Sequence, residues 1–428
     1  MFVIGKIAKW IFEMIPLALI LPDREFLPTF VLFWGVVVLV FMQYLRNSSQ
    51  EARLLGRVRN PAVTQTITSV AYGIIGGVIG SFILTLIGIP FALETSGFLY
   101  LWAVALLLAL ISPRLMCFSY AGGLLMISRL LLGWPALEVP QIAALVAILH
   151  IIESLLIWLD GHDSASPVAI RNRAGQVVGG FTLQRMWPVP FTLMIAVSYT
   201  LTAGEQINMP NWWPLMKLTG PLATDPNLVL GLFPVVAGVG YGDVAITTTP
   251  AAKARRSARN LAVYSGALLA AAILASHYSA FLWIAAILTP LGHEAVAYLS
   301  GRGELSGRPH WRRPDRGVRV LDVVPGSPAE KVGLRPGSII TSTGGQDINT
   351  RQELRDALET GLAYPDICFT LPDGREIAGR IGRPEVPDEG ELGIVLLPEP
   401  GDEPLVEVGR PGLILSLIRK GLRRFRKR

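Results

Sequence analysis

From residue 27 to residue 298 the chain returns repeatedly to apolar runs long enough to cross a bilayer, near 27–45, 67–90, 98–112, 115–134, 140–159, 187–203, 227–248, 261–277 and 279–298. A hydrocarbon core about 30 Å thick needs roughly 20 apolar residues in a helix. Composition agrees, with 51 % hydrophobic and only 16 % charged residues and a mean hydropathy of +0.47, whereas soluble domains carry about 25 % charged residues. The expectation is a polytopic membrane domain of about nine helical spans over 27–300. Residues 1–26 precede it, with Ile4, Ile7, Ile11 and Ile15 in a stripe that Lys6, Lys9 and Glu13 interrupt; this segment reads as a tenth span or an interfacial helix. No small-residue cleavage site follows, so it is not read as a removed signal peptide.

Basic residues gather in alternate loops. Arg46, Arg53, Arg57 and Arg59, then Arg114, then Arg171, Arg173 and Arg185, then Lys253, Arg255, Arg256 and Arg259 fall on one side of nine spans, leaving chiefly Arg24 and Lys217 opposite. The positive-inside rule makes the rich side cytoplasmic and delivers everything after the last span to the cytoplasm. Residues 301–316, rich in Arg, Gly and Pro, read as a basic linker. The segment from Pro411 to Arg428 holds seven Lys/Arg and no acid, more than the whole net charge of +6. The basicity is local and does not argue for nucleic-acid binding. Ile414, Leu417, Ile418, Leu422 and Phe425 recur there at helical spacing among Arg419, Lys420, Arg423, Arg424 and the last three basic residues. This is an amphipathic tail for anionic lipid at the cytoplasmic leaflet, or a disordered basic one. Cys117 and Cys368 lie in a span and in a strand, so no disulfide framework is expected.

Several motifs carry chemistry on paper. Gly292-His293-Glu294 opens a His-Glu-x-x-His pattern, but Ala297 stands where the second imidazole belongs, so the zinc site of an intramembrane protease is not formed that way. Leu159-Asp160-Gly161 precedes His293 and reads as chance. Gly238-Val239-Gly240-Tyr241-Gly242-Asp243 approximates a potassium filter without its first Thr; a Gly-rich helix break is the expected reading. His150 and Glu153, one turn apart inside a span, suit a proton relay, a cation site or an interhelical hydrogen bond. Trp187, Trp212 and Trp213 look like interfacial anchors. No inverted repeat points to a transporter.

After the spans the pattern changes. Val318–Val324 reads as a strand ending at Pro325-Gly326; Ser327 caps a helical turn that Pro328 opens and Gly333 closes. Thr350-Arg351-Gln352-Glu353 is a capping box that starts a helix carrying Leu354, Ala357 and Leu358 on one face, and Pro372-Asp373-Gly374-Arg375 joins two strands, Ile367–Leu371 and Glu376–Ile381. The run GVRVLDVVPGSPAEKVGLRPGSIITSTGGQDI resembles bacterial PDZ domains in permuted order, and Glu391-Leu392-Gly393-Ile394 is similar to the loop with which they hold a peptide carboxylate. The resemblance implies a peptide that adds a strand beside Leu392, Gly393, Ile394 and Val395 and rests its side chains on Leu354 and Leu358. The alternative is that these leucines are core and Leu392–Leu397 an ordinary edge strand.

Most of the chain, though not the basic tail after Pro411, resembles the MinJ family of polytopic PDZ proteins of Gram-positive cell division. The match runs through Ser166-Pro167-Val168, Arg185-Met186-Trp187-Pro188-Val189-Pro190, the last span, Val320–Gly337 and Glu391–Val395. It implies a non-enzymatic scaffold without cofactors, placed at septum or pole, linking a DivIVA-like scaffold to MinC/MinD-like division inhibitors. The alternative is a degenerate relative of site-2-type intramembrane proteases with PDZ-gated substrate binding. The expected layout is an N-terminal segment 1–26, an α-helical membrane domain 27–300, a linker 301–316, a small α/β-type PDZ domain 317–398, and a linker and tail 399–428.

Overall fold

The computed structural model describes residues 2–402 apart from 21–23, 56–57, 59, 93–96, 199–208, 219–220, 226, 361–364, 382–391 and 400. The chain begins with α1 (Phe2–Ile20), which buries Ile7, Ile11, Ile15 and Leu19 but leaves Ile4 exposed. Then come α2 (Leu27–Leu55), α3 (Ala62–Ile87), the short β1 (Pro90–Ala92), α4 (Phe98–Ile111), α5 (Phe118–Leu132) and α6 (Val139–Asp160). After β2 (Ser166–Arg171), β3 (Val177–Ser198) and β4 (Leu228–Ala245) follow α7 (Pro250–His277) and α8 (Ala280–Ser306). Five of these helices, α2, α3, α6, α7 and α8, are long and apolar enough to cross a membrane.

The expectation of nine helical spans is corrected in two places. Residues 187–198 of one run and 228–245 of the other lie in β3 and β4, which pair antiparallel from Phe181 opposite Ala245 to Ser198 opposite Leu228. The Gly238–Asp243 motif is therefore strand, not a helix break. A strand buried on both faces reads as a continuous apolar run, which hydropathy alone does not separate from a helix. The second correction concerns α4 and α5, each only about 20 Å long at 1.5 Å per residue. Cys117, at the start of α5, meets His150 in the middle of α6, while Gly122 packs on Ile142 and Val146 nearer the start of α6. The pair is thus a helical hairpin whose turn, Pro113–Met116, stands at half the depth of α6. Arg114 lies in that turn rather than in a surface loop.

The β-ribbon is held along α3. Cβ atoms added at Gly73 and Gly77 would lie 2.0 Å from the Pro188 carbonyl oxygen and 1.7 Å from that of Pro190. Gly76 and Gly80, on the next face, admit Ile152 and Leu156 of α6. Two small-xxx-small pairs thus give α3 contact with a strand on one side and a helix on the other. Along α3 the edge of β3 away from β4 has no strand neighbour among the described residues, and its backbone groups need other partners. The Met186 N–H donates to Tyr44 Oη (3.2 Å), Pro188 and Pro190 have no N–H, and the Thr192 N–H donates to Ser81 Oγ (2.8 Å). From Met194 onward β1 pairs with the strand in parallel. The edge is closed donor by donor.

At one end of the bundle Asp160 is buried, receives Arg185 on both carboxylate oxygens and accepts from Trp187 Nε1 at 2.8 Å. Trp187 is fully buried, so its reading as an interfacial anchor is corrected; Trp213 donates to the Thr85 carbonyl, and Trp212 is exposed. At the same end fully buried Lys253 reaches Asp243 Oδ2 at 3.0 Å and Ser300 Oγ at 2.5 Å. Glu304 takes Arg256 and the Ile246 and Thr247 N–H groups. Glu304 belongs to α8, which continues to Ser306, so the connection to the last domain starts later than residue 301.

The C-terminal domain follows the expected order: β5 (Val318–Val323), α9 (Pro328–Val332), β6 (Ile339–Thr343), β7 (Gln346–Asp347), α10 (Arg351–Thr360), β8 (Asp366–Thr370), β9 (Glu376–Arg380) and β10 (Ile394–Leu396). The sheet runs β10-β5-β6-β8-β9, with β7 beside β6. Ser327 Oγ accepts the Glu330 N–H, Thr350 and Glu353 exchange both capping-box bonds, and Gly333 terminates α9 in the left-handed region. The domain docks on the membrane part through Leu321, Val395, Leu397 and Trp311, which join the main apolar core; Gly179 makes room for Leu397.

Candidate functional site

The outer strand of the C-terminal sheet is β10, which pairs with β5 alone among the described residues. Its approach is set by Gly393, at φ +76°, whose missing Cβ would lie 2.2 Å from Ser327 Cβ. Only glycine combines that backbone with that contact. The Gly393 carbonyl accepts the Val324 N–H at 2.8 Å, so the loop before β10 is pinned to the capped start of α9.

Of the six residues expected to meet a peptide, Gly393 shapes the loop before β10, and the other five divide into two groups. Leu354, Leu358, Leu392 and Ile394 all lie in the domain's apolar core, at most 3 % exposed. Val395, half-buried, packs on the membrane part. Among the described residues β10 keeps one main-chain edge without a strand partner. Arg419, Lys420, Arg423, Arg424 and Phe425 lie outside the described residues. At the far end of the sheet, the β8–β9 turn joins Asp373 to Arg375 through both the Arg375 N–H (3.1 Å) and Nε (2.9 Å), which hold the Asp373 carboxyl below its ordinary pKa.

The membrane part holds a second cluster that sequence spacing did not join. His150 of α6 and His293 of α8 bring their ring centroids to 5.2 Å, and Cys117 Sγ lies 3.2 Å from His150 Nε2 and 3.7 Å from His293 Nε2. Glu153 stands 3.9 Å from His150 Nε2. Looking for a histidine four residues after His293 missed this, because the partners come from other helices; the short α5 starting at Cys117 was the available signal. Glu294 accepts from Tyr120 Oη at 2.5 Å. Asp160 is committed to Arg185 and Trp187, so the Leu-Asp-Gly run serves the fold.

Together these features define a membrane protein with a C-terminal PDZ domain. The PDZ domain family model matches residues 319–363. The chain is MinJ-like: it is 25 % identical over 230 residues to the cell division topological determinant MinJ of Bacillus subtilis, covering 53 % of each chain. It thus spans about half the length of that relative. A Synechocystis protein named as a serine protease, HhoB, is 39 % identical over 89 residues, 21 % of this chain and 20 % of its own. The PDZ domain of an SdrC-like protein from Listeria monocytogenes, of known structure, is 23 % identical, with a TM-score of 0.17; the likeness covers 20 % of this chain and 93 % of that one.

Proposed function

We propose that this protein is a non-enzymatic membrane scaffold that recruits cytoplasmic division-site proteins by adding a strand of the partner to β10. The observation that carries the reading is the edge of β10, which has no strand partner among the described residues, placed beside a glycine loop and backed by a domain that packs on the membrane part. Main-chain pairing supplies affinity in this mode, and convergent amides around Gly393 suit a terminal carboxylate.

The cytoplasmic side is supported by charge. The β3–β4 ribbon and the α4–α5 hairpin each leave and return on one side, so replacing two pairs of expected spans does not change the sidedness of the rest. Arg46–Arg59, Arg171–Arg185 and Lys253–Arg259 remain on the side of the PDZ domain. The basic tail adds attraction to anionic lipid of roughly 1 kcal/mol per charge near the surface. DivIVA-like and MinC/MinD-like proteins are the partners to test, because the relative matched over half of this chain is named a cell division topological determinant.

The experiment is fluorescence localisation of the full chain in its host beside a chain ending at Asp315 and a Gly393→Val variant. Septal and polar foci lost in both altered chains, with minicells or filaments, support the reading. Uniform membrane signal from the full chain without a division phenotype on truncation overturns it.

A further inference from the structure

Charged and titratable side chains at mid-depth in a membrane domain are costly, and where they occur they face one another or a cavity. Here the midpoints of α6 and α8 contribute His150 and His293, and the α4–α5 hairpin turns at that same level to present Cys117. Non-helical backbone at such depth is tolerated where it is buried in protein or lines a cavity.

We propose that Cys117, His150 and His293 form a binding site for a zinc-class transition metal, with the fourth coordination position open. Their ligand atoms all lie within 4.8 Å of one another. Sulfur and nitrogen bound tetrahedrally to one zinc ion, at about 2.3 and 2.05 Å, are separated by about 3.6 Å. The two sulfur–nitrogen distances of 3.2 and 3.7 Å bracket that edge.

The tautomer of His150 agrees. Its Nδ1 lies 2.7 Å from the Val146 carbonyl, which only an Nδ1–H can satisfy, so in the neutral ring Nε2, 3.2 Å from Cys117 Sγ, carries the lone pair. A backbone carbonyl behind a ligating imidazole is a common second shell, fixing the ring and raising its basicity. Cys117 Sγ sits at the N-terminus of α5 and accepts the Ser119 N–H at 3.4 Å, where the helix dipole favours a negatively charged ligand atom. His293 directs Nε2 at the same sulfur, while its buried Nδ1 has no protein partner. Ser119 Oγ, 3.2 Å from His150 Nε2, is also 3.2 Å from Tyr264 Oη, so its hydroxyl can turn to Tyr264 when the imidazole is bound to metal. Glu153 lies just outside the ligand set, 3.9 Å from His150 Nε2.

Two imidazoles and one thiolate suit Zn²⁺ and exclude Mg²⁺ and Ca²⁺, which take oxygen ligands. Three protein ligands with an open fourth place mark a site that binds a further small ligand, whereas a purely structural zinc is closed.

The test purifies the full chain in detergent through a tag without histidines and measures metal content by mass spectrometry. Co²⁺ is then added to chelator-treated protein while the thiolate-to-cobalt charge-transfer band is followed. The expected result is roughly one zinc per chain and a cobalt band that Cys117→Ser abolishes. His293→Gln is expected to weaken Co²⁺ binding at least about tenfold, and Tyr264→Phe, which removes a neighbour but no ligand, to keep the band. A wild-type chain that elutes as a single species, carries no metal and gives no band with excess Co²⁺ overturns the proposal, as does Cys117→Ser with wild-type metal content. Because the band itself reports a sulfur ligand, the wild-type measurement decides even if a variant fails to fold.

Discussion

Two strand edges of the protein are treated in opposite ways, that of β3 along α3 and that of β10 in the PDZ domain. In the membrane part, β3 runs the depth of α3 with its outward donors accounted for: two prolines remove N–H groups, Tyr44 and Ser81 take two more, and β1 takes the end. In the PDZ domain the outer strand β10 pairs on one side only among the described residues. In hydrocarbon an unpaired N–H costs several kcal/mol, so an exposed edge is not viable there. In water the same groups are solvated and remain available to a partner strand. The contrast is between an edge that the fold closes and one on which the proposed partner strand would pair.

The contrast breaks most directly at Gly73 and Gly77. Valine at both positions drives Cβ atoms into the Pro188 and Pro190 carbonyls, at separations of 2.0 and 1.7 Å. Neither backbone oxygen can move without dragging β3, so the cost exceeds the ~1–3 kcal/mol of ordinary overpacking. The expected outcome is loss of the monodisperse species in detergent. A double variant that elutes and melts like wild type would show that β3 does not lie on α3.

A finer cut removes one donor's partner. Ser81→Ala leaves the Thr192 N–H buried and unpaired, for an expected loss of about 1–3 kcal/mol. Ser81→Thr keeps the hydroxyl and should recover most of it. Thermal unfolding of the full chain in detergent measures both. Equal melting of Ala and wild type would mean that water reaches this edge.

The same contrast explains what was legible in the sequence. The PDZ domain is written in local chemistry: Ser327 before Pro328, Thr350 before Glu353 and Asp373-Gly374 between strands each specify a cap or a turn within a few residues, and each formed as read. The membrane ribbon is written in long-range chemistry. Pro188 and Pro190 have meaning only once Gly73 and Gly77, more than a hundred residues earlier, are placed against them. Until then Trp187–Val197 is an apolar run like any helix, and β3 was read as a span. The peptide contacts at Leu354 and Leu358 come from the PDZ resemblance rather than from local pattern, which does not separate a groove from a core; in the structure both leucines join Leu392 and Ile394 in the domain's buried core. His150 and His293 were each noticed, yet their proximity depends on a hairpin turning at mid-depth, which its two short helices signal only by length.

The PDZ sheet also has a second edge, β9, and it sharpens the comparison at the smallest scale. There Glu376 and Arg380 stand exposed, and Arg380 pairs with Asp366; charges on an outer strand discourage unwanted pairing. The Asp373–Arg375 contact fixes the turn that leads into it. Because Arg375 holds the folded-state pKa of Asp373 down, its contribution is fully present above the unfolded carboxyl value near 3.9 and is lost as pH falls through the lower folded value. Both groups are fully exposed, so the effect is small and salt-sensitive. Hydrogen exchange of the β8–β9 segment in the full chain, compared between wild type and Asp373→Asn, should show slightly slower exchange for wild type at neutral pH. That difference should begin to fade as pH falls below about 4, vanish below the lower folded value, and shrink in high salt. Identical exchange of the two chains at neutral pH and low salt would mean that the turn is held by Gly374 and the strand ladder alone, leaving side-chain charge to guard the β9 edge but not to shape it.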